Sequence, residues 1–201
     1  MSTFDERARD WDTPERRERA DAVAAVIRES IGPVATMRAI DVGAGTGLLG
    51  LALADDVGEM VLAEPSEGML AVVREKLAAG GARNVTAIRL DLTVDPPPLE
   101  RFDLVVSLLV LHHIADTARA LSAIRGLIRP GGRIALADLD AEDGSFHDPD
   151  AEGIHHRGFE RAELIEMTRA AGFADVEIRT ASEIERDGRR YPVFLLLARN
   201  P

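Results

Sequence analysis

The 201-residue chain predicts an α/β domain on a doubly wound, mostly parallel seven-stranded sheet with a terminal antiparallel strand. Three observations carry that expectation. Short apolar runs alternate with helical patterns from residue 37 to residue 171, the order of strands and helices that a parallel sheet requires. Those runs lack strict alternation, as expected of strands buried on both faces. Beyond them, two strands follow one another with no helix between, an antiparallel pair at the far edge.

Thr13-Pro14 ahead of Ala20, Val23, Ala24, Ile27 and Ile31 predicts an N-capped helix with Pro at its first position, stopped by Gly32-Pro33. Residues 37–42 form a strand running into a glycine loop, 48–54 a helix, and 60–63 a strand ending at Glu64. Ser66 caps a helix with Leu70, Val73 and Leu77 on its buried face, ended by Gly80-Gly81. Residues 85–90 are a third strand, ending at Asp91. The turn-rich Asp95-Pro96-Pro97-Pro98 leads to a fourth over 102–107, ending at Ser107. Asp116 caps a helix carrying Leu121, Ile124 and Ile128, Pro130-Gly131-Gly132 turns the chain, and 134–137 is the fifth strand. The polar, His-rich stretch 140–158 reads as a long loop, and loops of that length tend to be functional. A helix over 161–171 precedes strands 176–180 and 191–198, joined through 185–189. With no repeat or linker, residues 1–201 read as one domain, with 1–31 an N-terminal lid and helix and 173–201 a C-terminal β-hairpin.

Composition narrows the function. At 46% hydrophobic and 29% charged the chain folds; wholly disordered and fibrous readings are excluded. Its 24 basic residues against 35 acidic ones, net −11, argue against a phosphate-backbone binder, so no nucleic-acid partner is expected. The absence of cysteine removes disulfides, thiolate metal sites and Cys nucleophiles. The charged start MSTFDERARDWD is unlike a secretion leader, and the longest apolar run, 104–111, is far short of the ~20 residues that span a bilayer. A cytoplasmic location without membrane contact is expected. The single lysine, Lys76, among 23 arginines reads as a habit of composition.

The loop Asp41-Val-Gly43-Ala-Gly45-Thr-Gly47 lies between the first strand and its helix, where missing side chains let a ligand approach the backbone. It fits two templates. Gly45-Thr-Gly47-Leu-Leu-Gly50 matches the G-x-G-x-x-G dinucleotide fingerprint, with Glu64 as its ribose partner. Gly43-x-Gly45-x-Gly47, with a carboxylate two residues earlier, matches the motif of S-adenosylmethionine enzymes. Asp41 favours the second: it would serve a pyrophosphate poorly and a methionine ammonium well. Glu64, Asp91 and Ser107 then stand at consecutive strand ends, the edge where open α/β sheets bind ligands.

On these residues, with Ala63-Glu64-Pro65-Ser66, Met69-Leu70, Leu90-Asp91-Leu92, Phe102-Asp103, Leu111-His112-His113 and the Pro130-Gly131-Gly132 turn, the sequence resembles the class I S-adenosylmethionine-dependent methyltransferases, and on Asp138-Leu-Asp140-Ala-Glu142-Asp143-Gly-Ser-Phe-His147 with His155-His156-Arg-Gly-Phe159 it is similar to a small uncharacterised bacterial branch of them. The resemblance implies a Rossmann-like methyltransferase fold and S-adenosyl-L-methionine as cofactor. It implies that Asp41, Gly43 and Gly45 hold the methionine part, Glu64 the ribose hydroxyls, and Asp91 with Leu92 the adenine, with Ala44, Gly47, Pro65 and Met69 also at the cofactor. Ser107 would stand beside them. The Asn/Asp-Pro-Pro-aromatic motif of amino-methylating nucleic-acid enzymes is absent after strand four, where Ser107-Leu-Leu-Val stands.

Methyl transfer from a sulfonium needs positioning above all, and a base only where a proton must leave the acceptor. His155 and His156 in the long loop, and His113 after strand four, are the candidate catalytic residues; His112 reads as structural. Asp138, Asp140, Glu142, Asp143, His147, His155 and His156 also offer metal ligands, but at no recognisable spacing, and no metal is expected. Phe4 and Trp11 read either as packing or as a lid over the cofactor, with Arg16 or Arg17 meeting the methionine carboxylate. The expected function is methyl transfer to a small-molecule O, N or C nucleophile. A nicotinamide-dependent oxidoreductase and a non-catalytic S-adenosylmethionine-binding regulator are the alternatives.

Overall fold

The computed structural model describes residues 3–80, 82–96, 98–148, 151 and 153–201. Gly81 of the expected helix stop, Pro97 of the proline turn, Pro149, Asp150 and Glu152 of the long loop, and Met1 and Ser2 of the expected lid lie outside the described residues. In chain order the elements are α1 (Thr3–Arg7), α2 (Pro14–Ile31), β1 (Arg38–Val42), α3 (Leu48–Leu53), β2 (Glu59–Glu64), α4 (Glu67–Ala78), β3 (Val85–Arg89), β4 (Phe102–Leu108), α5 (Thr117–Leu127), β5 (Ile128–Leu139), α6 (Arg161–Ala170), β6 (Ala174–Arg186) and β7 (Arg189–Arg199). The capping chemistry legible in the sequence is made: Thr13, Ser66 and Asp116 accept from Arg16 N, Met69 N and Arg119 N respectively, and Gly32 ends α2 at φ 61°.

The seven strands form one sheet in the order β3-β2-β1-β4-β5-β7-β6, with β7 antiparallel to both its neighbours. The chain winds outward from β1 through β2 to β3, then returns to the other side of β1 as β4. That reversal opens a crevice beyond the carboxyl ends of β1 and β4. Strand side chains alternate between two cores, which is why the apolar runs are continuous: Leu104 and Val106 pack with Ile27 of α2 and Leu53 of α3, whereas Val105 packs with Leu121 of α5 and Leu164 of α6. Truncating Leu121, wholly buried, is expected to cost ~2–5 kcal/mol.

Two elements differ from expectation. The hairpin is longer than the apolar runs, and its connection is the two-residue turn Asp187-Gly188 with φ 53° and 72° rather than 185–189. Both residues being left-handed is the signature of a type I′ turn, whose twist matches the strands it joins. The pairs Glu185↔Arg190 and Arg186↔Arg189 extend the ladder through charged residues that composition alone reads as loop. Likewise β5 begins at Ile128, opposite Phe102, and carries Pro130-Gly131-Gly132 as an irregularity in register. Hydrogen bonds from Gly131 N to Asn200 O and from Asn200 N to Gly132 O hold that segment to the chain end.

Candidate active site

Gly43, Gly45 and Gly47 all have positive φ, at 68°, 56° and 84°. A Cβ on Gly43 would stand 2.6 Å from Val110 Cγ2, so the loop after β1 and the segment after β4 meet across the crevice with no room for a side chain. Gly43 N and Ala44 N both donate to Ala63 O, tying the loop to the end of β2. Glu64 ends β2, buried, and accepts from Gly45 N at 2.8 Å through one oxygen and from Ser66 N at 2.9 Å through the other. Each oxygen keeps a second lone pair for a ligand hydroxyl. Burial raises this carboxyl above its ordinary range, the two amides oppose the rise, and Asp5 and Asp91 add to it.

Asp41 is turned beneath the loop. It is 1% exposed, and its Oδ2 accepts from Gly50 N at 2.9 Å. A Cβ on Gly50 would meet Leu62 Cδ2 at 2.2 Å and Asp41 Oδ2 at 3.1 Å, so that glycine lets α3 pack closely on β2 and lets the carboxylate reach its amide. Burial pushes the Asp41 carboxyl up to about 7, against the Gly50 hydrogen bond. Met69 is buried in the core, Pro65 is exposed, and Ser107 is buried inside β4 opposite Leu136 rather than at the strand's last residue. Asp91, just past β3, accepts from Thr93 N and Thr93 Oγ1, with Leu92 half-buried beside it.

The N-terminal segment lies on this loop. Trp11 Nε1 stands 3.7 Å from the position a Gly45 Cβ would take. Arg16 stacks 3.9 Å over the indole and donates to Trp11 O at 2.7 Å; this guanidinium is therefore held by the tryptophan. Arg17 pairs with Asp12. Asp5 Oδ1 accepts from Ser66 Oγ at 2.6 Å and Gly68 N at 3.0 Å, and a Cβ on Gly68 would strike the Asp5 backbone. Asp12 pairs with Lys76 at 2.6 Å and accepts from Thr46 Oγ1, while Lys76 also donates to Thr46 O. Burial pushes Asp12 up, but the Lys76 and Thr46 hydrogen bonds outweigh it and hold the carboxyl below its ordinary value. The lone lysine thus has a structural reason that composition did not reveal, and Asp5, Asp12 and Lys76 are the residues that sequence reasoning missed here. Polar residues in a charged segment carry no periodicity that would mark them.

After β4 the backbone enters an unusual conformation, with Leu109 at φ 57°, and a short turn carries His112 and His113. His112 is buried and its Nδ1 lies 2.7 Å from Asp138 Oδ1 at the end of β5. His113 stacks on it at 4.1 Å between ring centroids and donates from Nδ1 to Gly153 O at 2.8 Å. His147 stands 5.1 Å from His112, and among the described residues its Nε2 is buried with no hydrogen-bond partner. The structure gathers these three and separates the other two. His155 is exposed, with its backbone N donating to His112 O. The His156 ring is tied through Nε2 to Ile114 O and Thr117 Oγ1, which makes it a strut at the start of α5. The sign that Asp138 matters was in the sequence, an acid in an otherwise apolar run; its partner was not. Among the described residues no group of three His, Asp or Glu is arranged to hold a metal ion, and no helix is long and apolar enough to cross a membrane.

A family model described as a methyltransferase domain matches residues 40–134, the stretch from β1 into β5. The chain is 35% identical over 110 residues to a demethylmenaquinone methyltransferase of Clavibacter sepedonicus, covering 55% of this chain and 44% of that one. It is 29% identical over 154 residues to a ubiquinone biosynthesis O-methyltransferase of Idiomarina loihiensis, covering 70% of this chain and 63% of that one. The chain spans about half the length of the first of the curated relatives it matches. In fold it superimposes with a TM-score of 0.81, at 20% identity, on a chain from the complex between the Haloferax volcanii Trm112 methyltransferase activator and a methyltransferase, covering 100% and 99% of the two chains. The Haemonchus contortus phosphoethanolamine N-methyltransferase 2 in complex with S-adenosyl-L-methionine gives 0.73 at 16% identity, covering 100% of this chain and 60% of that one. With a glycine loop facing Glu64 at the crevice of a 3-2-1-4-5-7-6 sheet, the chain has the fold of the class I S-adenosylmethionine-dependent methyltransferases, and its residues 40–134 are similar to the methyltransferase domain.

Proposed function

We propose that this domain transfers a methyl group from S-adenosyl-L-methionine to a small-molecule O, N or C nucleophile, without nucleic acid or membrane as partner. The observation that carries the reading is the left-handed glycine loop closed against Glu64, whose two oxygens each accept one backbone amide and keep capacity for a further donor. That arrangement suits a vicinal diol beside a ligand lying on bare backbone. When bound, the cofactor supplies a methyl on an electrophilic sulfonium. Everything else falls to this chain's residues. Glu64 orients the ribose end, Asp91 and Leu92 border the adenine end, and Gly43 to Gly47 lie under the methionine end. Asp41 braces the loop from below through Gly50. Residues 1–13 act as a lid, for which the support is the contact of Trp11 with the loop and the ties from Asp5 and Asp12 to α4 and Thr46.

Calorimetry tests this directly. We expect micromolar binding of S-adenosylmethionine and S-adenosylhomocysteine, with none comparable for NAD or NADP; preferential NAD binding ends the reading in favour of the oxidoreductase. Tight S-adenosylmethionine binding with no labelled methyl passing to any of a broad acceptor panel would instead favour the regulatory module. Trp11, the only tryptophan, should report closure of the lid as a change in emission on binding.

A further inference from the structure

Asp138 is a wholly buried carboxylate among the apolar side chains of β5, a placement that costs several kcal/mol unless N–H groups satisfy it. Three do. Its Oδ1 accepts from His112 Nδ1 and Leu139 N, each at 2.7 Å, and its Oδ2 accepts from His112 N at 3.2 Å. A carboxylate at Nδ1 places the ring hydrogen there and leaves the lone pair on Nε2. An imidazole so held accepts a proton at Nε2, and the carboxylate stabilises the imidazolium that results.

The neighbours fit that role. The Gly153 carbonyl only accepts, so His113 also carries its hydrogen on Nδ1. Burial, and then the nearness of His112, push His113 down to about 4, so it stays neutral at pH 7. His147 is likewise held down, by burial first and by His112 next, with Glu142, Arg186 and Asp138 also facing it. A proton arriving on His112 therefore meets one anion and no second cationic imidazole. The turn that carries the cluster meets the cofactor loop at Val110, which stands against Gly43 two residues before His112, and a row of rings runs from the cluster toward the N-terminal segment. Trp11 lies by Gly45, Phe4 stands edge-on to Trp11 at 5.8 Å and to His113 at 5.3 Å, and His113 stacks on His112. Phe146 meets His147 edge-on at 4.7 Å, so the surroundings are aromatic.

We propose that His112, oriented by Asp138, is the general base for an acceptor bearing a phenol- or enol-type hydroxyl, with His147 Nε2 as a second hydrogen-bonding contact to that acceptor. This deepens the methyltransferase reading and rests on it. A hydroxyl near pKa ~10 is within reach of an imidazole, whereas an aliphatic alcohol is far above it and a neutral amine needs no base. In the step, the acceptor's O–H proton passes to His112 Nε2 and its oxygen bonds the methyl carbon. The carbon–sulfur bond breaks with its electron pair left on sulfur, and the imidazolium later gives its proton to solvent. His112 is the catalytic residue and Asp138 a positioning residue.

The test uses the full chain loaded with S-adenosylhomocysteine and three probes, catechol, hydroquinone and 4-hydroxybenzoate, whose ionisation shifts their near-ultraviolet band to longer wavelength. We expect at least one probe to bind with its half-ionisation about two pH units below its free value. His112→Gln should abolish the shift, and Asp138→Asn should reduce the ionised fraction at pH 7 about tenfold or more. Arg169→Ala, on the exposed face of α6, should leave it unchanged. S-adenosylhomocysteine affinity and thermal unfolding are measured on each variant; if His112→Gln does not fold, Asp138→Asn and His147→Gln decide. No ionised probe in the wild type, or ionisation undiminished in the folded variants, overturns the inference. Failure to bind S-adenosylhomocysteine is a separate readout and sinks the methyltransferase reading itself.

Discussion

On the β1–β3 side of the crevice, the buried carboxylates take their hydrogen bonds from backbone amides of the glycine loop, its helix and the turn after β2: Asp41 from Gly50, Glu64 from Gly45 and Ser66. On the β4–β5 side Asp138 takes one from the side chain of His112, on another strand's loop, and the long loop is pinned by distant partners, Arg186 to Phe146 O and Asp148, Arg161 to Asp140. The first half is built of motif and the second of tertiary contacts. On the proposed reading, a site whose cofactor half is backbone-made tolerates change in its acceptor half, and recognition loops on a rigid scaffold are where proteins vary.

The sharpest way to break that comparison is a pair of glycines. Gly158 has φ 71° and its Cβ would stand 2.1 Å from Asp140 O, a backbone atom that cannot turn aside. Gly158→Ala should cost ~3 kcal/mol or more in urea unfolding. Gly50→Ala meets only side chains, Leu62 at 2.2 Å and Asp41 at 3.1 Å, and gains ~1 kcal/mol of helix propensity, so its net cost should be smaller, ~1–2 kcal/mol. Equal losses would show that both halves depend on backbone contact alike.

The second prediction concerns Asp41. Burial raises its folded-state pKa to about 7, above the ordinary 3.8 that the unfolded chain keeps. The folded state therefore binds the proton more tightly. Its contribution is fully favourable below pH ~4 and is lost as pH rises through about 7, on the order of a few kcal/mol. Asp41→Asn should flatten that slope, measured as the difference in unfolding free energy between pH 4 and pH 8. A parallel pH dependence in both proteins would place the ionised group elsewhere.

Third, Glu64→Ala should weaken S-adenosylhomocysteine binding by ~1–3 kcal/mol through lost and unpaired hydrogen bonds. His112→Gln should leave that affinity nearly unchanged if the two halves are separable. The smallest effect belongs to the N-terminal segment. The Lys76–Asp12 pair, with side chains 25% and 13% exposed, should contribute ~0.5–1 kcal/mol, so Lys76→Met should loosen the segment without unfolding the domain. Trp11 emission should shift toward that of an exposed indole; an unmoved signal would mean that Asp5 and Arg16 suffice to hold it.

The sequence by itself determined the strand and helix order from α2 onward, the three capped helix starts, the glycine loop and the placement of Glu64 at the end of its strand and Asp91 just past its own, because each is marked by residues within a few positions. Helix caps, left-handed glycines and apolar runs are local physics, and they survive transfer from string to structure. What only the tertiary structure decided rests on residues distant in the chain. The charged ends of β6 and β7 are strand because each pairs with the other, not because their residues favour it. Lys76 has a role because Asp12 and the loop at Thr46 come to it. The sequence sorted the histidines otherwise, with His155, His156 and His113 as catalytic candidates and His112 as structural. Packing alone tied His156 to α5, left His155 in solvent and set His112 against a buried aspartate, since no spacing rule encodes a contact between the ends of β4 and β5.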